Sequence, residues 1–174
     1  MTDVLELDNW YAMFCKTGDE ENVKERLEYK LEDRFKILVP KRNLRERKGG
    51  RWRFITRTLF PGYVLVHGDI DNHSYYGFKR VPGLFRMIRS GMDFSRIEPC
   101  EMEVLGRLMC NDEVIGFSQL LVEGKKITVV DGPLLSLEGY IESINHRKGR
   151  ARVRLNFLGE PRSVELGVEV LRPG

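Results

Sequence analysis

The chain is predicted to fold as an α+β domain, an antiparallel sheet with packed helices, followed by a small five-stranded β-barrel. Three observations carry this reading. Residues 1–111 alternate short apolar runs with stretches of helical period. Residues 125–174 show short strand-like runs separated by turns. Between them, residues 112–124 have mixed composition and read as a linker, although Val114, Ile115, Phe117, Leu120 and Leu121 give it apolar surface with which to dock.

The elements follow in order. Trp10-Tyr11-Ala12-Met13-Phe14-Cys15 is continuously apolar, as expected of a central strand buried on both faces. Thr17 or Asp19 can cap the next helix, with Gly18 in the turn. Val23, Leu27 and Leu31 recur every four residues and make one apolar stripe, while Asp19, Glu20 and Glu21 lie where the helix dipole favours acids. Phe35–Val39 reads as a second strand, and Pro40 marks either an edge position or the strand's end. Lys48-Gly49-Gly50 is a hairpin tip, and Arg51-Trp52-Arg53-Phe54-Ile55 alternates cation with aromatic, so Trp52 and Phe54 share one strand face.

Pro61-Gly62 then turns the chain into Tyr63-Val64-Leu65-Val66-His67, a further strand. Asp71 or Asn72 caps a helix carrying Tyr75, Tyr76 and Phe78, which Val81-Pro82-Gly83 ends. Leu84–Ile88 reads as a strand, and Pro99 opens a helix with Met102, Leu105, Leu108 and Met109 on its apolar side. In the second half, Lys126–Val130, Gly139–Ile144, Ala151–Phe157, Arg162–Leu166 and residues 168–171 supply the barrel strands. Val153, Leu155 and Phe157 face one way, and Arg152 and Arg154 the other.

Charge is distributed unevenly. Residues 1–33 carry four basic and ten acidic side chains, whereas residues 34–57 carry ten basic and one acidic. Residues 58–111 and 112–174 each sum to zero, which leaves the net charge of +3. Such a concentrated positive field suits a phosphate backbone. The candidate nucleic-acid contacts are Lys41, Arg42, Arg45, Arg47, Lys48, Arg51, Trp52, Arg53 and Arg57 in the hairpin, and Arg147, Lys148, Arg150, Arg152 and Arg154 in the barrel. Trp52, Phe54 or His146 can stack on unpaired bases.

Other classes are disfavoured. No run of 18 apolar residues is present, and the acidic N-terminus lacks a signal pattern, so a cytoplasmic protein without a membrane span is expected. Cys15, Cys100 and Cys110 cannot all pair within one chain and read as reduced, mostly packed thiols. They and the scattered His67, His73 and His146 do not form a metal-binding pattern. No nucleophile–base set, paired carboxylates or phosphate-binding glycine loop stands out, so neither an enzyme nor a cofactor is expected. A monomer is expected.

These motifs resemble the NusG family of transcription elongation factors. The first half matches through Trp10-Tyr11, Val39-Pro40, the Gly49-Gly50 hairpin, Phe60-Pro61-Gly62-Tyr63-Val64 and Val81-Pro82-Gly83. The second half resembles the family's KOW module through Val130-Asp131-Gly132-Pro133, Gly139, Phe157-Leu158-Gly159 and Val164-Glu165-Leu166. The resemblance implies binding to the clamp helices of the largest catalytic subunit of RNA polymerase through an apolar patch. By motif match that patch includes Tyr11, Phe60, Pro61, Gly62 and Tyr63.

The resemblance also implies a KOW module able to recruit a ribosomal protein or Rho near Leu134, Leu135 and Phe157. The cationic hairpin and barrel depart from the general pattern and look more like a specialised, LoaP-type antiterminator of particular operons. Such a protein needs a nucleic-acid signal, an RNA hairpin in the operon leader or an exposed DNA strand. The alternative is a housekeeping factor bridging polymerase to the ribosome or Rho. The β-branched runs and the turn glycines favour a stable barrel over a refolded helical form.

Overall fold

A computed structural model describes residues 5–84, 94–110 and 112–172. The chain divides into two compact units. Among the described residues, one comprises those within 5–39 and 60–103, and the other those within 40–59 and 104–172.

In the first unit, strands β1 (Trp10–Phe14), β2 (Lys36–Leu38), β5 (Tyr63–His67) and β6 (Phe94–Ile97) form an antiparallel sheet in the order β2-β5-β1-β6. The first apolar run is therefore central, as the sequence predicts, and the strand before Pro40 lies at an edge, one of the two readings that proline allows. Helices α1 (Glu20–Leu31) and α2 (Asn72–Lys79) contribute Val23, Leu27, Leu31 and Phe78 to a core with Met13, Cys15, Val64 and Val66. Asp71 caps α2 by accepting from the Ser74 N–H at 2.7 Å, and this bond holds its carboxyl below the usual range. A third helix, α3 (Pro99–Met109), starts at the proline that predicts it. Of the strand expected at 84–88, Leu84 bridges Cys15 and the remainder lies outside the described residues.

The Pro61-Gly62 turn is fixed by a buried carboxylate. Glu20 is 4% exposed and accepts from the Gly62 N–H at 2.9 Å and from the Gly18 N–H. Gly62 has φ +87°, and a Cβ there would lie 3.3 Å from the Cys15 carbonyl oxygen. Burial pushes the Cys15 thiol up to about 11, with Glu20 and Asp19 adding to the effect. Cys100 and Cys110 are exposed, so the expectation of mostly packed thiols holds only for Cys15; the apolar stripe of α3 does not include Cys100.

In the second unit, β3 (Lys41–Lys48) and β4 (Arg51–Thr58) form the basic hairpin, and β7 (Val114–Ile115) pairs in parallel with β3. Strands β8 (Ser118–Glu123), β9 (Lys126–Asp131), β10 (Ile141–Asn145), β11 (Arg150–Phe157) and β12 (Glu160–Leu171) form a curled five-stranded sheet in the order β10-β11-β12-β8-β9. The strand count is as expected, but the membership differs. Residues read as linker form β7 and β8, because their apolar residues find backbone partners. The last two expected strands are one, β12, whose first half pairs with β11 and whose end pairs in parallel with β8. The turn Glu138–Tyr140 adjoins β9, and the Glu138 carboxylate accepts from the Val129 N–H at 3.1 Å. Ala151, Val153, Leu155 and Phe157 are buried along β11.

Candidate nucleic-acid and protein interfaces

Pairing in the hairpin sets Arg45 opposite Phe54 and Arg47 opposite Trp52, while Glu46 faces Arg53 and Lys48 faces Arg51. Directly opposed residues share a face. Trp52 and Phe54 thus lie together, as predicted, but Arg45 and Arg47 join them, and Arg51, Arg53 and Arg57 lie on the other side. The Arg45 guanidinium sits 4.6 Å from the Trp52 ring centroid, and Phe54 meets Phe117 edge-on at 5.5 Å. Both aromatics nevertheless keep exposed surface, Phe54 at 74%.

The hairpin runs against the end of β12. At Gly167 a Cβ would lie 2.5 Å from the Asn43 carbonyl oxygen and 2.4 Å from the Phe117 ring, so only glycine permits this approach. Arg150 spans the junction. Its Nη1 donates to Glu165 at 2.7 Å and its Nη2 to the Arg45 carbonyl at 3.2 Å. Gly149, in the turn before β11, lies against the Arg45 guanidinium.

The predicted cations therefore separate into two classes. Lys41 pairs with Glu113 at 3.5 Å, Arg57 with Glu46 at 3.3 Å, Arg152 with Glu142 at 3.6 Å and Arg150 with Glu165. Arg42 is partly buried and donates to the Leu59 carbonyl; burial lowers its pKa, Glu165 opposes the shift, and Arg150 and Arg57 reinforce it. Among the described residues, Arg47, Lys48, Arg51, Arg53, Arg147, Lys148 and Arg154 are exposed and make no ion pair. Arg53 has Glu46 directly across the hairpin, but not at ion-pair distance. His146 is exposed as well.

The apolar patch is not assembled as the motif match implies. Strand side chains alternate, and Tyr11 stands opposite Val66, on the sheet face that packs against α1 and α2. Tyr63 stands opposite Phe14, on the other face, and their rings meet edge-on at 4.8 Å. Phe60 is 4% exposed, Gly62 is buried, and Pro61 is exposed. The structure thus separates Tyr11 from Tyr63, and pairs Tyr63 with Phe14, which sequence reasoning missed. The signal was present: Phe14 lies three residues beyond Tyr11, an odd step that reverses the face. Leu134 and Phe157 are likewise buried, at 1% and 2%, whereas Val130, Leu135 and Tyr140 are the exposed apolar residues of this region.

A second unforeseen feature lies in the first unit. An open groove beside α1 and α2 is lined by Lys30, Arg34, His73, Tyr76 and Arg80. Tyr76 is 61% exposed there.

A family model described as "Transcription termination factor nusG" matches residues 8–105. The transcription termination/antitermination protein NusG of Bacillus subtilis is 30% identical over 168 residues, covering 91% of this chain and 94% of its own. The Thermus thermophilus protein of the same name is 30% identical, covering 90% and 94%. A solved structure described as "Domain interaction in Thermotoga maritima NusG" has a TM-score of 0.59 and 26% identity, covering 91% of this chain and 93% of its own. These relatives are transcription factors and not enzymes, and among the described residues no helix is long and apolar enough to cross a membrane. The matched family model, the full-length relatives and the shared fold agree: the chain belongs to the NusG family of transcription termination/antitermination factors.

Proposed function

We propose that the chain is an RNA polymerase-associated processive antitermination factor for specific operons, of the LoaP type. In this reading residues 1–111 bind the clamp helices of the largest catalytic subunit. The hairpin and the KOW module at 125–174 bind nucleic acid, an RNA hairpin in the operon leader. The observation that carries it is the set of unpaired cations at the hairpin tip and in the 146–149 turn, which belong to one compact unit. A cation already paired within the protein contributes little to phosphate binding. One without a partner releases a counter-ion when it meets a phosphate.

Polymerase contact is assigned to Phe14, Tyr63 and Pro61. An aromatic pair with residual exposure is suited to docking on a helix pair. A housekeeping bridge is the second reading. It is supported by Val130, Leu135 and Tyr140, which are 50%, 49% and 39% exposed and give the barrel an apolar surface for a ribosomal protein or Rho.

The test is binding of the purified chain to the leader RNA of the adjacent operon, to scrambled RNA and to single-stranded non-template DNA, over a salt series. Leader-specific binding that weakens steeply with salt is expected. Equal, weak binding to all three would overturn the RNA-specific reading and favour the bridge. Preference for the DNA would likewise overturn the RNA-specific reading. Phe14→Ala is expected to abolish capture by an immobilised clamp-helix fragment while leaving RNA binding intact.

A further inference from the structure

Arg150 lies among the cations that the sequence marks as nucleic-acid contacts, yet its guanidinium is committed inside the protein. One nitrogen donates to Glu165 on β12 at 2.7 Å, and another to the carbonyl of Arg45 on β3 at 3.2 Å. Its side chain is 16% exposed, against 49% for Glu165. The bond to β3 reaches across 105 residues of sequence, at the place where Gly149 touches the Arg45 side chain and Gly167 admits the hairpin backbone. On either side of this joint stand cations that make no ion pair among the described residues: Arg47, on the hairpin face that carries Arg45, and Arg147 and Lys148 in the turn.

We propose that the Arg150–Glu165 pair is a positioning device that holds the hairpin and turn cations as one surface, so that an RNA stem meets both sets at once. The inference rests on the nucleic-acid reading above and assigns Arg150 a role different from contact. Arginine suits this role because its planar fork serves two acceptors in fixed directions, whereas a lysine ammonium cannot span them with the same geometry. Joining two weak cation sets rigidly makes the second contact intramolecular, which raises affinity without a new contact.

Glu165→Gln separates positioning from simple electrostatics. Removing an acid beside an RNA site strengthens binding if only the field matters. If Glu165 orients Arg150, the isosteric amide weakens the grip on the guanidinium and binding falls several-fold. The experiment measures anisotropy of labelled leader RNA with full-length wild type, Glu165→Gln, Arg150→Lys, Lys148→Ala and the Lys148→Ala combinations, each over a salt series. A melting curve for each variant confirms that it is folded at the assay temperature. Expected are weaker binding for Glu165→Gln and Arg150→Lys, although neither removes a positive charge, and a Lys148→Ala effect that shrinks in both backgrounds.

Tighter binding by Glu165→Gln, or an undiminished Lys148→Ala effect in the Arg150→Lys background, would overturn the positioning role and leave the nucleic-acid reading standing. No effect of Lys148→Ala in the wild-type background would overturn the nucleic-acid reading of the turn, and the positioning role with it.

Discussion

The base and the tip of the basic hairpin have similar composition and opposite physics. At the base, Lys41, Arg42, Arg45 and Arg57 are partly buried or engaged with Glu113, the Leu59 carbonyl, Trp52 and Glu46. At the tip, Arg47, Lys48, Arg51 and Arg53 project without an ion pair among the described residues. Lys41, Arg42 and Arg45 have given up part of their hydration for protein partners, and removing a partner there leaves a poorly solvated charge, whereas Arg57 is paired but 57% exposed. Tip cations retain their hydration and are available to a ligand. Residue type and sequence proximity put all of these side chains in one candidate site, whereas the partner each one meets decides what it does.

The strongest way to break this contrast is to lift the base off the barrel. Gly167→Ala places a methyl group against the Asn43 carbonyl and the Phe117 ring, and neither backbone nor packed ring can yield cheaply. The expected cost is about 3 kcal/mol, at the upper end for overpacking, read as a lowered denaturant midpoint with little change in slope. The opposite substitution at the tip, Gly49→Ala, meets no atom within 4 Å, and its cost is confined to the strain of φ +61°. Equal losses at the two glycines would mean that the base is no more tightly held than the tip.

A smaller effect is expected at the Lys41–Glu113 pair, whose side chains are 19% and 20% exposed. Glu113→Gln should cost about 1 kcal/mol, since a charge-assisted contact is lost in a region that water only partly reaches. The substitution removes one negative charge and no cation, so RNA affinity should not fall. Trp52 belongs to both regimes, being 39% exposed yet stacked by Arg45. Trp52→Leu is expected to cost about 0.5–1 kcal/mol, the range for a solvent-accessible cation–π contact. A larger loss in chemical denaturation would place Trp52 with the base.

Much of the fold was legible because its signals are local. Pro99 starts α3, Asp71 caps α2, the four-residue spacing of Val23, Leu27 and Leu31 makes the stripe of α1, and Gly49-Gly50 turns the hairpin. The misreadings depended on which strands pair. Residues 118–123 carry Leu120, Leu121 and Val122 in a row without the alternation that marks a half-buried strand, yet β12 and β9 supply partners on both sides. The expected apolar patch is divided for a related reason. Motif proximity joined Tyr11 to Tyr63, whereas the antiparallel register puts Phe14 opposite Tyr63 and sends Tyr11 to the helix-covered face. Sequence likewise could not show that Arg150 faces Arg45 across 105 residues, because nothing short-range encodes that meeting.

The least disruptive change examines the tip directly. Arg51 and Arg53 stand opposite Lys48 and Glu46 on one hairpin face, and both are exposed. Replacing both with glutamine keeps side-chain length and polarity and leaves no buried group unpaired, so stability should stay within about 0.5 kcal/mol of the parent. RNA binding should weaken, and the dependence of log affinity on log salt should flatten by about 1.4–1.8, two counter-ions fewer. The matched control at the base is Arg57→Gln, whose partner Glu46 neutralises it at 3.3 Å. That variant should leave the salt slope nearly unchanged, because a cation already compensated by a carboxylate releases little when RNA arrives. If Arg57→Gln flattened the slope as much per residue as the tip pair, the distinction between engaged and free cations would fail. The whole hairpin would then act as one undifferentiated field.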